Sequence, residues 1–396
     1  MTKLHTFIGA ALLSITFNAQ AGDCPALSGQ YSIGTDDADF STVSEAVNAL
    51  KCGGVSGPVT FQIADGTYNE KVTLSSISGA SAFNTITFES ESGNNAGVII
   101  TNTTSDATVV LNGTSWVTFE NLTIDHKDAT YGNSLRVDGK ASHLAFKSVV
   151  FDGIETTKEG ANNAVINFSA SAPKSEVAFE DCEVNNGSVG ISKTGMSTET
   201  PDSKTTITGT LFFNQYEAGL ALSNEDAPSV TNNVVSSLTT FKGYKAISMD
   251  NVSNNLMVSN NIINAANGTY GLALNNCGGK ATNLGQITNN SIAVGGNADA
   301  YGLYLAGNTD NQVLNFNRVK LTINGAQAAN QAYYRNAGSG NNVNMLNNIF
   351  YDLNTGGYTI IGNTYKDHFN QLPGQSNPAL TVSANGLMVE KVSPIK

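Results

Sequence analysis

Tyrosines recur in neighbouring segments of the second half of the chain. Tyr270, Tyr301 and Tyr304 precede or lie on a repeated Gly-Leu strand, and Tyr333 and Tyr334 follow about one repeat later. Aromatic faces stacked along a repeating structure can hold successive sugar rings. We therefore predict that Tyr270, Tyr301, Tyr304 and Tyr334 bind carbohydrate. The alternative is a tyrosine ladder that only packs adjacent turns, because tyrosine is common in half-buried strands.

Cationic side chains accompany the tyrosines. Arg318, Lys320 and Arg335 lie in the same repeats, and Lys242 and Lys245 lie slightly earlier in the chain. Guanidinium and ammonium groups pair with carboxylates, so these residues could meet the acidic groups of a polysaccharide. No fixed-spacing motif selects among them. Arg318, Lys320 and Arg335 are therefore only candidate catalytic residues.

An acidic cluster is predicted in the first half of the chain. Asp125 and Asp152 take equivalent positions in consecutive repeats, with His126 beside the first and Asn185 in the next repeat. Stacked carboxylates repel each other, and the repulsion can be relieved by a cation such as Ca²⁺, by a raised pKa or by solvation. Asp125 and Asp152 are the candidate metal ligands, and two solvated turn residues are the alternative.

Several other classes of function are disfavoured by the sequence. The net charge is -12 with 20 Lys plus Arg, and no basic run is present, so nucleic acid is not an expected partner. His126, His143 and His368 stand in no recognisable nucleophile motif. Zinc-ligand spacing and a phosphate-binding glycine loop are likewise missing from the sequence.

Three segments that align without gaps define the elements that must position these residues: Val117–Asp125, Leu144–Asp152 and Val177–Asn185. In each segment apolar and polar residues alternate, the phase slips by one residue, and alternation resumes. A continuous strand would turn its second half outward, so a bend must lie at the slip. Asn121, Ser148 and Asp181 stand there, and Asn and Asp readily adopt the left-handed conformation.

The second half of the chain repeats a related unit around paired asparagines. The spacing is 28 residues from Asn233 to Asn261, 29 to Asn290 and 58, or two repeats, to Asn348. A period near 29 with β-type alternation predicts a solenoid of stacked three-strand coils, with a propeller as the alternative. Equivalent residues then stack at about 4.8 Å, so we predict an asparagine ladder and a single interior column of Phe119, Phe146 and Phe179. The fold class is all-β, a right-handed single-stranded parallel β-helix.

The ends of the chain suggest export and capping. An apolar run from Phe7 to Phe17 followed by Ala19-Gln20-Ala21 is typical of a signal peptide, too short to span a bilayer. We expect a signal peptide at 1–21, an N-terminal cap at 22–56, a β-helix at 57–365 and a C-terminal cap at 366–396. Apolar residues at helical spacing from Asp39 to Leu50, with a Thr42 and Glu45 capping pattern, predict a short helix that covers the open end.

Four cysteines in an exported chain permit three complete pairings. Cys24 and Cys52 flank the predicted helix, so we favour a disulfide between them. Cys182 takes an inward strand position, which predicts a buried thiol, and Cys277 is left unassigned.

The segments Asp39–Val47, Gly57–Phe61 and Asp65–Val72, the last with a Gly-x-Tyr-x-Glu-x-Val pattern, resemble the start of pectin-lyase-like β-helix proteins and of pectin methylesterases among them. The resemblance covers residues 30–100 and implies the fold. The Gln-Asp-Thr-Leu and Asp-Phe-Ile-Phe-Gly segments that carry esterase catalysis are absent, so it does not imply that activity. Polysaccharide lyases of this fold use a Lys or Arg base, the role for which the cations above are candidates.

We therefore expect a secreted, periplasmic or cell-surface bacterial protein that binds or processes extracellular polysaccharide or surface glycan. If it is an enzyme, it is a polysaccharide lyase or another carbohydrate-active enzyme. The alternative is a non-catalytic adhesin-like or structural surface solenoid. No cofactor other than Ca²⁺ is suggested.

Overall fold

The computed structural model describes residues 24–34, 37–104, 106–127, 132–296, 300–323, 331–336, 342–346, 348–352, 359–361, 365–368 and 381–382. The predicted signal peptide lies outside these residues, as does most of the predicted C-terminal cap.

Short strands follow one another almost without interruption along the chain. The first twelve are β1 Leu27–Ile33, β2 Val55–Ile63, β3 Gly66–Asn69, β4 Val72–Ser75, β5 Ile86–Ser90, β6 Val98–Asn102, β7 Ala107–Asn112, β8 Ser115–Glu120, β9 Thr123–His126, β10 Asn133–Asp138, β11 Ala141–Lys147 and β12 Val150–Asp152. The next twelve are β13 Ile166–Phe168, β14 Lys174–Glu180, β15 Glu183–Asn185, β16 Val189–Thr194, β17 Asp202–Thr208, β18 Leu211–Phe213, β19 Ala218–Asp226, β20 Ser229–Thr231, β21 Val234–Ser237, β22 Lys245–Ser253, β23 Met257–Ser259 and β24 Ile262–Ala265. The last twelve are β25 Tyr270–Asn275, β26 Gly285–Thr288, β27 Ser291–Gly296, β28 Tyr301–Ala306, β29 Gln312–Asn315, β30 Arg318–Ile323, β31 Gln331–Asn336, β32 Val343–Leu346, β33 Ile349–Asp352, β34 Thr359–Ile361, β35 Tyr365–His368 and β36 Thr381–Val382. The helix α1 spans Val43–Gly53, and a 3₁₀ turn spans Ala161–Asn163.

The strands stack into a parallel solenoid of about 11 turns with three faces. Face A contains every third strand from β4 to β34, together with β36; face B contains β1 and every third strand from β2 to β35; face C contains every third strand from β3 to β33. Faces A and B form one 25-stranded sheet, because β19 pairs with both β16 and β17 at the corner between them. Face C is a separate 11-stranded sheet. The predicted all-β parallel solenoid is therefore confirmed.

The corner between faces B and C is sharp and has the predicted backbone conformation. Asn121, Ser148 and Asp181 lie at φ 54°, 50° and 52°, in the left-handed region. Asn232 and Asn260, in later coils, do the same at 58° and 56°. One left-handed residue turns the chain between two short strands, so the next side chain points inward again.

Aromatic rings form a column inside the N-terminal half. Phe119 stacks on Phe146 at a ring-centroid distance of 5.9 Å, and Phe146 stacks on Phe179 at 4.8 Å. Phe88 and Phe61 extend the column toward α1 at 5.3 and 4.8 Å. All five rings are fully buried, as the sequence predicts for the first three.

A ladder of buried asparagines continues the interior in the C-terminal half. Asn233 donates from Nδ2 to Asn261 Oδ1 at 3.0 Å, and Asn261 donates to Asn290 Oδ1 at 2.9 Å. Asn290 and Asn317 extend the chain of bonds to Asn348 at 2.9 and 3.0 Å. Each of these first four Nδ2 groups also donates to a backbone carbonyl, so the buried amides are satisfied within the fold.

The helix α1 packs against β1 and β4 at the N-terminal end of the solenoid. Thr42 Oγ1 accepts from the backbone N–H of Glu45 at 3.1 Å, while the Glu45 carboxylate accepts from the N–H of Ser41 at 2.8 Å. Glu70, from the segment that resembles pectin methylesterases, accepts from the N–H groups of Val43 and Ser44. Glu70 thus holds the N-terminus of α1 over the first coil.

Cys24 is disulfide-bonded to Cys52, with 5.5 Å between their Cα atoms. Cys182 and Cys277 are buried free thiols, and burial raises the pKa of each to about 12. Among the described residues, no helix is both long and apolar enough to cross a membrane.

Candidate functional site

Four tyrosines share the outer surface of face A on β25, β28 and β31. Tyr304 lies between the fully buried Leu303 and Leu305, and Tyr334 between the fully buried Tyr333 and Arg335, so strand alternation turns these two tyrosines outward. Tyr270 and Tyr301 are the first residues of β25 and β28, directly before Gly271 and Gly302, and they share the outer surface through ring contacts with Tyr304 and Tyr334 rather than through alternation. In the strand register Tyr270 pairs with Tyr301, and Tyr304 pairs with Tyr334. We call Tyr270, Tyr301, Tyr304 and Tyr334 the tyrosine surface.

The four rings are in mutual contact. Tyr270 stacks on Tyr301 at a centroid distance of 5.3 Å, and Tyr304 stacks on Tyr334 at 4.9 Å. The two stacks meet edge to face, with 5.0 Å between Tyr270 and Tyr304 and 5.4 Å between Tyr301 and Tyr334. All four side chains are half-buried, and burial, with a smaller effect of Tyr334, raises the pKa of Tyr304. The result is one aromatic patch in which each ring supports the orientation of its neighbours.

A shallow pocket of about 320 Å³ adjoins the tyrosine surface on its N-terminal side. Tyr270 and Tyr304 line it, and the small side chains of Ser248 and Ala273 leave the space. Ala273 takes the same register position as Tyr304 in the next coil, so the pocket exists because a methyl group replaces a phenol there. This volume is at the lower end for small-molecule sites.

Polar groups edge this pocket. Lys245 lies at one side with Nζ 5.9 Å from the centre of the Tyr270 ring. Asp250 lies at the other side, where its Oδ1 accepts from Asn275 Nδ2 at 2.9 Å. The pocket therefore offers an aromatic wall, one ammonium and a carboxylate–amide pair, a combination suited to the apolar face and the hydroxyl groups of a sugar.

Comparison with known proteins finds the same architecture in solved structures. No protein-family model and no curated protein sequence matches the chain. The Dettilon tailspike protein aligns with a TM-score of 0.60 at 12% identity, over 86% of this chain and 64% of that chain. The GH136 lacto-N-biosidase from Eubacterium ramulus aligns at 0.50 and 10% identity, over 86% and 67%. The pectin methylesterase from Erwinia chrysanthemi aligns at 0.35 and 13% identity, over 68% and 80%. This chain has the right-handed parallel β-helix fold. It spans less than two thirds of the tailspike chain.

The three predicted catalytic cations of this β-helix do not lie on the tyrosine surface. Arg318 and Lys320 are exposed on β30, which belongs to face C. Arg335 takes an inward position in register with Leu305, and its side chain is fully buried. The expectation that Arg335 meets a ligand beside the tyrosines is therefore wrong, because strand alternation that turns Tyr334 outward must turn Arg335 inward. The cation that does line the pocket is Lys245.

In the acidic cluster on face C, a lysine of the same chain pairs with both aspartates. Lys127 Nζ lies 2.8 Å from Asp125 Oδ1 and 3.2 Å from Asp152 Oδ2, and the two aspartates pair in register. Burial opposes the charge on Lys127, but the two carboxylates outweigh that effect and raise the pKa of Lys127. Within the described ranges, no three His, Cys, Asp or Glu side chains are grouped so as to hold a metal ion. Lys127 thus does here what the sequence suggested for Ca²⁺.

His126 is fully buried beside this cluster. Its Nδ1 lies 3.1 Å from Thr108 Oγ1, which is also 2.7 Å from the backbone oxygen of Asp125. An imidazole enclosed in the core is a structural group, so it adds nothing to a surface site.

A buried ion network escaped the sequence analysis. Lys193 is fully buried between Asp202 and Glu225, 2.5 Å from each carboxylate. Lys174 completes it, since its backbone N–H donates to Asp202 Oδ1 at 2.8 Å. Burial raises the pKa of Glu225 and lowers that of Lys174. A signal was present, because Gly190-Ile191-Ser192-Lys193 aligns with Gly219–Leu222 and so puts a lysine where the repeat has leucine.

Proposed function

We propose that this protein is exported and binds an extracellular polysaccharide through the tyrosine surface and its pocket on face A. The observation that carries the proposal is the contiguous patch of four outward tyrosines beside a pocket with hydrogen-bonding edges. The fold neighbours are consistent with it, since one of them is by name a lacto-N-biosidase. At 10% identity that likeness concerns the fold, so the proposal rests on the site.

The pocket supports binding more directly than hydrolysis. Glycoside hydrolysis usually requires two carboxyl groups facing each other across the scissile bond. Among the described residues that line this pocket, Asp250 is the single carboxylate. Lys245 is the one candidate base for a lyase reaction there. A non-catalytic, adhesin-like surface solenoid is therefore the second candidate, and the two differ in whether the bound glycan is cleaved.

Export is supported by two independent features. The signal-peptide pattern ends at Ala21, and the disulfide between Cys24 and Cys52 requires an oxidising compartment such as the periplasm or the exterior. We propose the same arrangement of segments as above, with a signal peptide at 1–21, caps at 22–56 and 366–396, and a β-helix between them. N-terminal sequencing of the exported protein should begin at Gly22.

Binding is tested by gel retardation against a panel of neutral and acidic polysaccharides, followed by calorimetry on any that retard the protein. Tyr301→Ala and Tyr304→Ala should each weaken binding about 10-fold or more, since truncated aromatic anchors typically cost over 1 kcal/mol. Phe83→Ala is the matched control, because Phe83 is 88% exposed and lies in the loop between β4 and β5, several coils before β25. The proposal would be overturned if no polysaccharide in the panel retarded the protein, or if the tyrosine variants bound as tightly as the Phe83→Ala control.

Cleavage is tested on the same panel. Absorbance at about 235 nm reports the unsaturated product of a lyase, and reducing ends report hydrolysis. Loss of a cleavage signal in Lys245→Met with retained binding would assign a lyase role to Lys245. Retardation without either signal would support the non-catalytic reading.

A further inference from the structure

Face C carries an exposed apolar patch that the proposed glycan site does not use. Leu211 and Phe213 on β18 are 45% and 55% exposed, and Ile262 on β24 is 54% exposed. Val234 on β21 lies between Leu211 and Ile262 in the register. Contiguous exposed apolar patches mark interaction sites more often than singly scattered apolar residues do.

The patch lies in the middle of one outward column along the solenoid axis. Successive register pairs place the column in the order Glu183, Leu211, Val234, Ile262, Ser291 and Arg318. Five strand spacings separate the first and last of these, or about 24 Å at about 4.8 Å per step. The acidic and basic residues thus stand at equal distances from the centre of the column.

Side chains of opposite charge flank the apolar patch on face C. On the N-terminal side, three carboxylates, Asp125, Asp152 and Glu183, and one ammonium, Lys127, leave a charge of -2. On the C-terminal side, strand β30 carries Arg318 and Lys320, a charge of +2. Neither of these two has a carboxylate within salt-bridge distance in the described part of the chain. On the face C strands between β15 and β30, the outward side chains are uncharged.

We propose that face C is the interface of a dimer in which two copies of this chain pack antiparallel about a two-fold axis. The axis passes between Val234 and Ile262. A two-fold axis makes an interface self-complementary. If residue i of one protomer contacts residue j of the other, then residue j of the first also contacts residue i of the second. Here that operation sets Glu183 against Arg318 of the partner subunit at both ends, with the apolar residues closed around the axis.

The charge pattern selects this arrangement over others. A parallel pairing of the same faces would set Arg318 against its own copy and Glu183 against its own copy, and like charges across an interface are unfavourable. The pattern also favours a second copy of this chain over an unrelated protein, because both halves of the complementarity lie on one surface. Face A remains exposed in such a dimer, so the proposal is independent of the glycan site.

The test is the mass of the full chain in solution, measured by sedimentation equilibrium over a range of concentrations. We expect twice the mass of one chain. Ile262→Lys should weaken the dimer about 10-fold or more by placing a charge in the apolar centre. Met196→Lys is the matched control, because Met196 is 52% exposed but lies beside β16, off face C, and should leave the mass unchanged.

A charge swap tests the antiparallel geometry. Glu183→Arg and Arg318→Glu should each weaken the dimer about 5-fold to 10-fold, and combining them should restore the affinity to within about 3-fold of the original. Circular dichroism confirms that each variant is folded. A single-chain mass at all concentrations up to about 100 μM, a trimeric mass, or a double variant weaker than both single ones would overturn the proposal.

Discussion

The asparagine ladder makes the sharpest prediction about stability. Asn261 is fully buried, and it joins the coils before and after it through four hydrogen bonds. Its Nδ2 donates to Val230 O and Asn290 Oδ1, and its Oδ1 accepts from the side-chain and backbone nitrogens of Asn233. Leucine has the same four side-chain heavy atoms branched at Cγ as asparagine, so Asn261→Leu removes these bonds without leaving a cavity.

The cost follows from the groups left behind. Asn233 loses the acceptor for two donors, and Val230 O loses one donor, while Asn290 Oδ1 keeps the backbone N–H of residue 261. Three buried groups at about 1 to 2 kcal/mol each cost about 3 to 6 kcal/mol. Burying the leucine side chain offsets about 2 kcal/mol of this. We therefore expect a net loss of about 1 to 4 kcal/mol in the free energy of unfolding, centred near 2.5 kcal/mol.

Urea unfolding followed by far-ultraviolet circular dichroism measures this loss. Asn260→Gly is the control, since Asn260 is the exposed left-handed residue next to Asn261 at φ 56°, a conformation that glycine adopts without strain. That variant should change the free energy of unfolding by less than about 0.5 kcal/mol. An Asn261→Leu protein as stable as the control would show that the ladder contributes nothing beyond filling space, and our account of the interior would be refuted.

Two further predictions concern charge and thiol chemistry. Hydrogen bonds from Arg136 and then Lys71 lower the pKa of Asp106 to about 2, so Asp106 stabilises the fold above its unfolded pKa of 3.8 and loses that effect as the pH falls toward 2. Because Asp106 is 38% exposed, Asp106→Asn should lower the free energy of unfolding by only about 1 kcal/mol at pH 7. The difference in free energy of unfolding between the variant and the original protein should disappear near pH 2. A difference that does not change with pH would refute this reasoning. Cys182 and Cys277 are buried with raised pKa values, so Ellman's reagent should find no thiol in the native protein and two after denaturation without reductant; rapid labelling in the native state would contradict the placement of both.

The scaffold could be predicted from the sequence because its signals are local and repeated. Asn121, Ser148 and Asp181 mark the corner by residue type alone, and the alternation on either side of them determines which residues face inward. The repeat of about 29 residues is harder to follow where one residue departs from the pattern. Phe316 takes the corner position at φ 57°, so the Asn-Asn pair is lost there and the repeat pattern does not single out Asn317, although Asn317 is a full member of the ladder.

The site was less predictable, because membership of a face depends on register across coils. Tyr304 and Tyr334 are separated by 30 residues and still stack, which the strand period indicates. Arg335 follows Tyr334 directly, and only the register with Leu305 shows that it points inward. The pocket depends on the small side chain of Ala273. The sequence alone does not reveal this role, because it follows only from the register that pairs Ala273 with Tyr304.

The two proposals together make a joint prediction about avidity. In the antiparallel dimer face C is closed and each protomer keeps its own tyrosine surface, so one polysaccharide chain could engage two surfaces. Linked sites raise the apparent affinity for a long ligand without a new contact, provided that the ligand can reach both. Ile262→Lys should therefore bind a short oligosaccharide as tightly as the original protein and bind the polymer about 10-fold to 100-fold more weakly. Met196→Lys should match the original protein on both ligands. Equal affinity of Ile262→Lys and Met196→Lys for the polymer would mean that the two tyrosine surfaces do not act together, even if dimer formation and glycan binding are each established separately.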